Sequence, residues 1–270
     1  MPEGHVIHRL ANGLDEAFGG RRVRVTSPQG RFAEAAALLD GRPFLAAEAY
    51  GKHLFCEIGD ASLVHIHLGL IGKLRLTGPQ PLANPDTLRL RIETPDAVAE
   101  LRGPQTCALI TPGERDAVVA GLGPDPLRAD AVPDRGWQRV SRSERPIASL
   151  LLDQRVAAGV GNIFRCEVLF RQRLHPMTPG RAVTRQRWGR IWSDLLALMP
   201  PALANGRIDT VREQHTPEAM GRLPRVDRHG GEVYVYRRPG MPCLVCGQRV
   251  SAQAFEGRNL YWCNRCQRNR

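Results

Sequence analysis

Between Glu3 and Phe18 the apolar residues Val6, Ile7, Leu10, Leu14 and Phe18 recur at helical spacing, and Gly19-Gly20 ends the run. The pattern predicts a leading amphipathic helix. Four later segments, RRVRVTS, KHLFCEI, LVHIHL and TLRLRIE, alternate at period two, so that Val64, Ile66 and Leu68 face one way and His65 and His67 the other. Short strands between Gly/Pro turns, with no long helices among them, predict an antiparallel sandwich or barrel. The Pro/Gly-rich GLGPDPL, from Gly121 to Leu127, reads as a linker. Beyond it the period becomes helical over Trp137 to Val140, Ile147 to Leu152, Ile163 to Phe170 and Trp188 to Met199, and a cysteine-rich hairpin closes the chain. The expected fold class is α+β with two domains. A β-sandwich with its N-terminal helix occupies 1–120, a linker 121–135, a helical domain 136–235 and a finger 236–270.

A length of 270 residues suits two cores. The start lacks a basic segment followed by a signal-length apolar run, and the longest apolar stretches fall far short of a membrane span. A cytoplasmic protein without a membrane partner is expected. The net charge of +11 is uneven: residues 1–121 carry 13 Lys/Arg and 14 Asp/Glu, net −1, and residues 122–270 carry 25 and 13, net +12. A basic half beside a neutral one fits a polyanion, nucleic acid first, or else a solvated basic surface. Of 38 basic residues only Lys52 and Lys73 are lysine. Where arginine is the default cation, a retained lysine points to proton transfer or a compact point charge.

Seven cysteines stand at 56, 107, 166, 243, 246, 263 and 266. The last four form C-x2-C, sixteen residues, C-x2-C, in which each pair offers two thiolates to one tetrahedral ion across a hairpin. One structural zinc on Cys243, Cys246, Cys263 and Cys266 is expected, with disulfides the alternative in an oxidising setting. The other three read as small core residues. In LLLDQRVAAGVGNIFRCEVLF two helices meet through Ala157-Ala158-Gly159-Val160-Gly161, with Asn162 at the N-cap. Close backbone approach, a helix start and an amide donor make a phosphate site, and the same residues also read as an ordinary capped turn. EGRN lies between strand-like segments, so Arg258 sits at a hairpin tip, either gripping a phosphate or simply exposed.

The opening MPEGHVIHRL joins these features to chemistry. Methionine before proline is normally trimmed, leaving Pro2 with a free secondary amine beside Glu3 at a helix start. An α-amine of pKa near 8 is about one-tenth neutral at pH 7 and is a ready nucleophile. Attack on the anomeric carbon of a nucleotide would expel the base and leave an iminium that acidifies the adjacent sugar carbon, with Glu3 as acid and a lysine supplying charge and a proton. A trimmed end that merely starts a helix is the plain alternative.

Together, MPEG, YGKHLF around Lys52, LGPDPL, LLLDQ...AGVGN and CxxC...GRNLYWCxxC resemble the formamidopyrimidine-DNA glycosylase and endonuclease VIII family, in order over nearly the whole chain. The pattern looks most like an actinobacterial endonuclease VIII-like branch. The resemblance implies an N-terminal β-sandwich led by the catalytic helix, then a helix-two-turn-helix domain with a zinc-finger β-hairpin, and double-stranded damaged DNA as partner to a monomer. It implies a bifunctional glycosylase and AP lyase in which Pro2 forms the Schiff base, Glu3 is the general acid and Lys52 serves β-elimination. Asn162 and Arg258 would bind phosphates around an everted nucleotide, Arg258 also serving δ-elimination. Leu70, in HLGLIG, would be the wedge that fills the gap, unless it is core.

Several positions depart from the family pattern. His5-Val6 replace Pro-Glu, Gly69 and Ile71 replace the glutamine and tyrosine flanking the wedge leucine, and Gly121 replaces a DNA-binding arginine. Pro104 and Gln105 stand where the purine branch carries an arginine and a phenylalanine against the orphaned cytosine, and no Phe, Tyr or Trp occurs between Phe55 and Trp137. RVDRHGGEVYVYRRPG looks too short for the lesion-capping loop of purine enzymes. Oxidised pyrimidines are therefore the expected substrates. An 8-oxoguanine glycosylase and a non-catalytic zinc-dependent DNA-binding protein are the alternatives.

Overall fold

In the computed structural model, which describes residues 2–227 and 231–268, the leading helix α1 spans Gly4–Phe18. Its stripe of Ile7, Ala11, Leu14 and Phe18 is fully buried. Each of the three larger side chains contributes about 1.5–3 kcal/mol by leaving water. The amide of Gly19 closes the helix on the carbonyl of Asp15 at 2.9 Å. The chain divides into two compact units, residues 1–121 and 122–270, each with its own core.

The first unit continues with β1 (Arg24–Thr26), α2 (Ala33–Leu39), β2 (Phe44–Tyr50), β3 (His53–Ile58), β4 (Leu63–His67), β5 (Lys73–Thr77), β6 (Leu88–Glu93), β7 (Val98–Arg102), β8 (Thr106–Ile110) and α3 (Pro112–Ala120). Two four-stranded antiparallel sheets, β1-β6-β7-β5 and β2-β3-β4-β8, form the expected sandwich. The register pairs Leu54 with Ile66 and Cys56 with Val64 on the core face. The opposite face of β3 and β4 carries His53 against His67 and Phe55 against His65. That face is not a simple wet one. His65 is buried, its ring lies 4.9 Å from that of Phe55, and the guanidinium of Arg115 on α3 covers Phe55.

The second unit holds α4 (Pro133–Val140), α5 (Ile147–Leu152), α6 (Asn162–Arg171), α7 (Arg185–Asn205), a short α8 (Pro217–Met220), β9 (Ser251–Phe255) and β10 (Arg258–Trp262). α7 runs past the apolar pattern that ends at Met199. It continues through Pro200-Pro201 because Ala202 is still buried and Gly206, at φ +67, supplies the left-handed stop. Residues 122–126 of the segment read as a linker are buried. The Gly123 amide donates to Gln154 O at 2.9 Å and Pro124 O accepts from Ala158 at 3.0 Å, docking the segment on the turns between α5 and α6. A β-carbon on Gly123 would meet Arg155 O at 2.5 Å, so this approach requires glycine.

The carboxylate of Glu167, fully buried on α6, accepts from Thr210 Oγ1 at 2.6 Å and from the amides of Tyr234, Val235 and Tyr236 at 2.7, 2.9 and 2.8 Å. It fastens the stretch before the finger to the helical core. Residues 228–230 of the segment that looks too short for a capping loop lie outside the described residues.

Candidate active site and nucleic-acid interface

Within the first unit, Glu3 is the N-cap of α1 and only 3% exposed, directly after a half-buried Pro2. A helix start disfavours a positive charge and favours an anion such as the Glu3 carboxylate. His5, the second residue of α1, is buried, and burial followed by the charges of Arg9 and His8 pulls its pKa down to about 4. The residue that replaces the family proline is thus a neutral imidazole.

Lys52 is 9% exposed in the Gly51-Lys52 turn joining β2 to β3, the strands on which α1 packs; Lys73, on edge strand β5, is exposed. Next to Lys52 lies a histidine cluster that the period-two pattern marks only as a polar face. His53 Nδ1 and His65 Nε2 share a hydrogen bond of 2.9 Å, and the His53 and His67 ring centroids are 4.8 Å apart. Burial, then His67, His65 and Lys52, pulls His53 down to about 3. Burial also lowers His65 and His67. With all three imidazoles held below their ordinary value, the histidines add little positive charge beside Lys52.

Leu70 is 69% exposed and Ile71 80%, which rules out the core reading of Leu70 and gives it an apolar companion that the sequence did not single out. They project from a tight turn closed by Gly72 N donating to Leu68 O at 3.0 Å. Gly69 sits at φ +66 against the side chain of Gln105. Arg102 is fully engaged inside the unit, donating to Asn84 O at 2.8 Å, Ala83 O at 2.7 Å, Thr87 Oγ1 at 2.5 Å and Glu100 Oε2 at 3.0 Å.

In the second unit Gly161, in extended conformation, is the N-cap of α6 and Asn162 is its first residue, not the cap expected. The asparagine side chain is used elsewhere. Its Nδ2 donates to Asn259 O at 2.9 Å, and its Oδ1 accepts from Nη2 of the fully buried Arg165. This ties α6 to β10. β9 and β10 are joined by Glu256-Gly257, both at positive φ, the two-residue turn that matches strand twist. Arg258 is the first residue of β10, opposite Phe255, one place past the tip. Its Nη1 is buried with no hydrogen-bond acceptor, and Glu256 beside it is occupied by Ser149 Oγ at 2.7 Å. Burial and the nearby Arg258 charge lower the pKa of Arg165. Two guanidiniums and an oriented amide with an unsatisfied donor form a ready anion site. Arg165 had no motif to mark it.

The sulfur atoms of Cys243, Cys246, Cys263 and Cys266 lie within 4.8 Å of one another, with Cys243–Cys266 at 3.9 Å and Cys246–Cys263 at 3.5 Å. Zn–S bonds of about 2.3 Å in a tetrahedron require S···S near 3.8 Å, so the four thiols fit a structural zinc. They are not disulfide-bonded. Gln267 extends the knuckle into the helical core, accepting from the Cys263 amide at 3.0 Å and donating to Leu174 O at 2.9 Å. Cys56 and Cys166 are buried as expected, and Cys107 is half-buried.

Comparison with known proteins assigns these parts. Residues 1–107 match the formamidopyrimidine-DNA glycosylase N-terminal domain, 122–213 its H2TH domain, and 240–269 the zinc finger found in FPG and IleRS. Endonuclease 8 1 of Mycobacterium tuberculosis is 45% identical over 274 residues, spanning 99% of this chain and all of that one. This chain belongs to the formamidopyrimidine-DNA glycosylase family. The crystal structure of the family member MutM (Fpg) from Thermus thermophilus superposes with a TM-score of 0.77 at 28% identity, over 98% of both chains. Lactococcus lactis Fpg in complex with abasic-site DNA gives 0.80 at 23% identity, over 99% of this chain and all of that one, a likeness of fold. As a family member the chain is a DNA glycosylase of base excision repair with AP lyase activity.

Proposed function

We propose that this enzyme excises oxidised pyrimidines from duplex DNA through a Schiff base on Pro2 and cleaves the strand by β,δ-elimination. With Met1 removed, the Pro2 nitrogen bonds to C1′ of the everted nucleotide as the bond to the base breaks and the base leaves with a proton. Glu3 protonates the ring oxygen, the sugar opens and an iminium forms. Loss of the C2′ proton then expels the 3′ phosphate, and loss of the C4′ proton the 5′ phosphate. Lys52 carries charge and a proton in these steps, Asn162 and Arg258 hold phosphates, and Leu70 wedges into the vacated stack. The enzyme works as a cytoplasmic monomer, with one structural zinc holding the finger.

The observation that carries the phosphate assignment is the buried, acceptorless Nη1 of Arg258, on the strand whose next residue, Asn259, anchors the Asn162 amide. A native fold seldom leaves a guanidinium donor buried and unpaired unless a ligand completes it. Support for pyrimidines comes from Pro104 and Gln105, which stand where the purine branch carries its arginine and phenylalanine, while the nearby Arg102 spends its guanidinium on Ala83, Asn84, Thr87 and Glu100. Two experiments test the proposal. Borohydride should trap the enzyme on abasic-site DNA, and an N-terminal extension verified by mass should abolish trapping; full cross-linking by the blocked protein would place the nucleophile elsewhere. In single-turnover excision from matched duplexes, thymine glycol and 5-hydroxycytosine should outpace 8-oxoguanine opposite cytosine, and the reverse order would overturn the lesion class.

A further inference from the structure

A cleft of about 510 Å³ in the second unit is lined by Arg135, Arg139, Arg142, Arg145 and Arg155, with Asp153 as its one acid. The sequence builds it deliberately. Arg135, Arg139 and Arg142 follow one another at i, i+4 and i+7 along α4 and just beyond it, a spacing that stacks like charges on one helix face and disfavours the free helix. Asp153 accepts from Arg145 at 3.2 Å and from Arg155 at 2.8 Å, and its carboxyl is drawn down to about 2, chiefly by the hydrogen bond from Arg155. It orders two of the guanidiniums without neutralising the five. The neighbouring acids are engaged elsewhere, Asp134 with Arg185 and Glu144 with Arg181, both at 2.7 Å. Arg139 and Arg142 are exposed and pair with no acid among the described residues.

We propose that this cleft is a second phosphate-binding site, made for a run of consecutive phosphates such as a nucleic-acid strand or a free nucleoside polyphosphate supplies. A single carboxylate would leave most of the charge uncompensated, whereas a phosphate run places an anion every few ångströms and accepts two-pronged bonds from each guanidinium. The cleft shares no residue with the Asn162–Arg258 cluster, and its assignment does not depend on the role of Pro2.

The test compares the zinc-loaded full chain with its Arg139→Ala/Arg142→Ala variant, which keeps every residue assigned to catalysis. Melting temperature is read without ligand and with lesion-free hexathymidylate, ADP or a hexaglutamate peptide. If the cleft is a strained cluster of cations, the unliganded variant melts at least as high as the parent. Hexathymidylate or ADP then stabilises the parent and loses at least half of that effect on the variant. With a lesion-free 24-base-pair duplex, a drop of about two in the slope of log affinity against log salt identifies DNA as the source, because each phosphate that is no longer neutralised lowers the slope by about 0.9. An unchanged slope with lost ADP protection identifies the free nucleotide. Equal ligand responses in parent and variant, or protection by hexaglutamate equal to that by hexathymidylate, would overturn the proposal. At enzyme concentrations that saturate the abasic-site DNA, borohydride trapping stays unchanged in the variant whichever ligand the cleft takes, so failure here is distinct from failure of the Schiff-base assignment.

Discussion

Replacing Glu167 by glutamine changes one atom and should be among the most damaging single substitutions in the second unit. The carboxylate accepts four hydrogen bonds, three from consecutive backbone amides and one from Thr210, and no part of it touches water. An amide keeps one accepting oxygen and turns the other into a donor, so two of the four donors face an N–H group. A hydrogen bond to a charged acceptor contributes about 1.5–3 kcal/mol, which puts the loss at about 3–6 kcal/mol. Thr210→Val removes one donor and should cost about 1–2 kcal/mol. All four tryptophans, at 137, 188, 192 and 262, lie in the second unit, so tryptophan fluorescence during urea unfolding reports on that unit alone. For a slope of about 2 kcal/mol/M the midpoint should fall by roughly 1.5–3 M. A Glu167→Gln protein that unfolds within 0.5 M of the parent would refute the view that this carboxylate fastens the stretch at 234–236.

Zinc removal by a chelator, or Cys266→Ser, should unfold the finger and weaken DNA binding through displacement of Arg258, while hydrogen exchange in the first unit stays slow because its core is its own; undiminished DNA affinity in zinc-free protein would count against the link. Leu70→Ala and Ile71→Ala should leave stability within about 0.5 kcal/mol, since both side chains are already exposed, but slow single-turnover excision at least tenfold. Acidification should destabilise the first unit. His5 and His53 stay neutral when folded, with pKa values near 4 and 3, but take up protons near 6.5 when unfolded, so their stabilisation is whole above pH 6.5 and falls below it by up to about 1.4 kcal/mol per pH unit each. A hydrogen-exchange stability of that unit that is flat between pH 7 and 4.5 would contradict this.

Where a single periodicity decides the outcome, the sequence predicts the structure well. The stripe of α1, the alternation of LVHIHL and the two C-x2-C knuckles each have one low-energy arrangement. β2, β5, β7 and β8 are harder to see, because FLAAEAY and TCALI mix small and polar residues whose burial comes from partners distant in the chain. α3 carries a legible start, Thr111-Pro-Gly-Glu114, which forms a capping box in the fold, but its weak apolar stripe conceals it. Arg165, Glu167 and the His53–His65 pair cannot be read locally. A buried arginine and an exposed one look alike in one dimension, and only the fold brings residue 167 to 210 and 234. GLGPDPL reads as a linker, and its residues 122–126 prove to be buried and docked, because glycine and proline mark tight backbone approach as readily as a loose connection.

The scarcity of lysine gives this fold an unusual chemical inventory. A chain of 270 residues with 36 arginines holds two side-chain amines, one tucked into the β2–β3 turn and one open on the β5 edge. Guanidiniums do not condense with aldehydes under mild conditions, so an opened abasic sugar, itself an aldehyde, meets a surface almost blank to it. Adventitious cross-linking, which would strand a lysine-rich DNA-binding protein on its own substrate, is confined to Lys73 as the exposed competitor. Replacing that residue by arginine would leave a protein in which every stable amine adduct reports on the N-terminus or on Lys52.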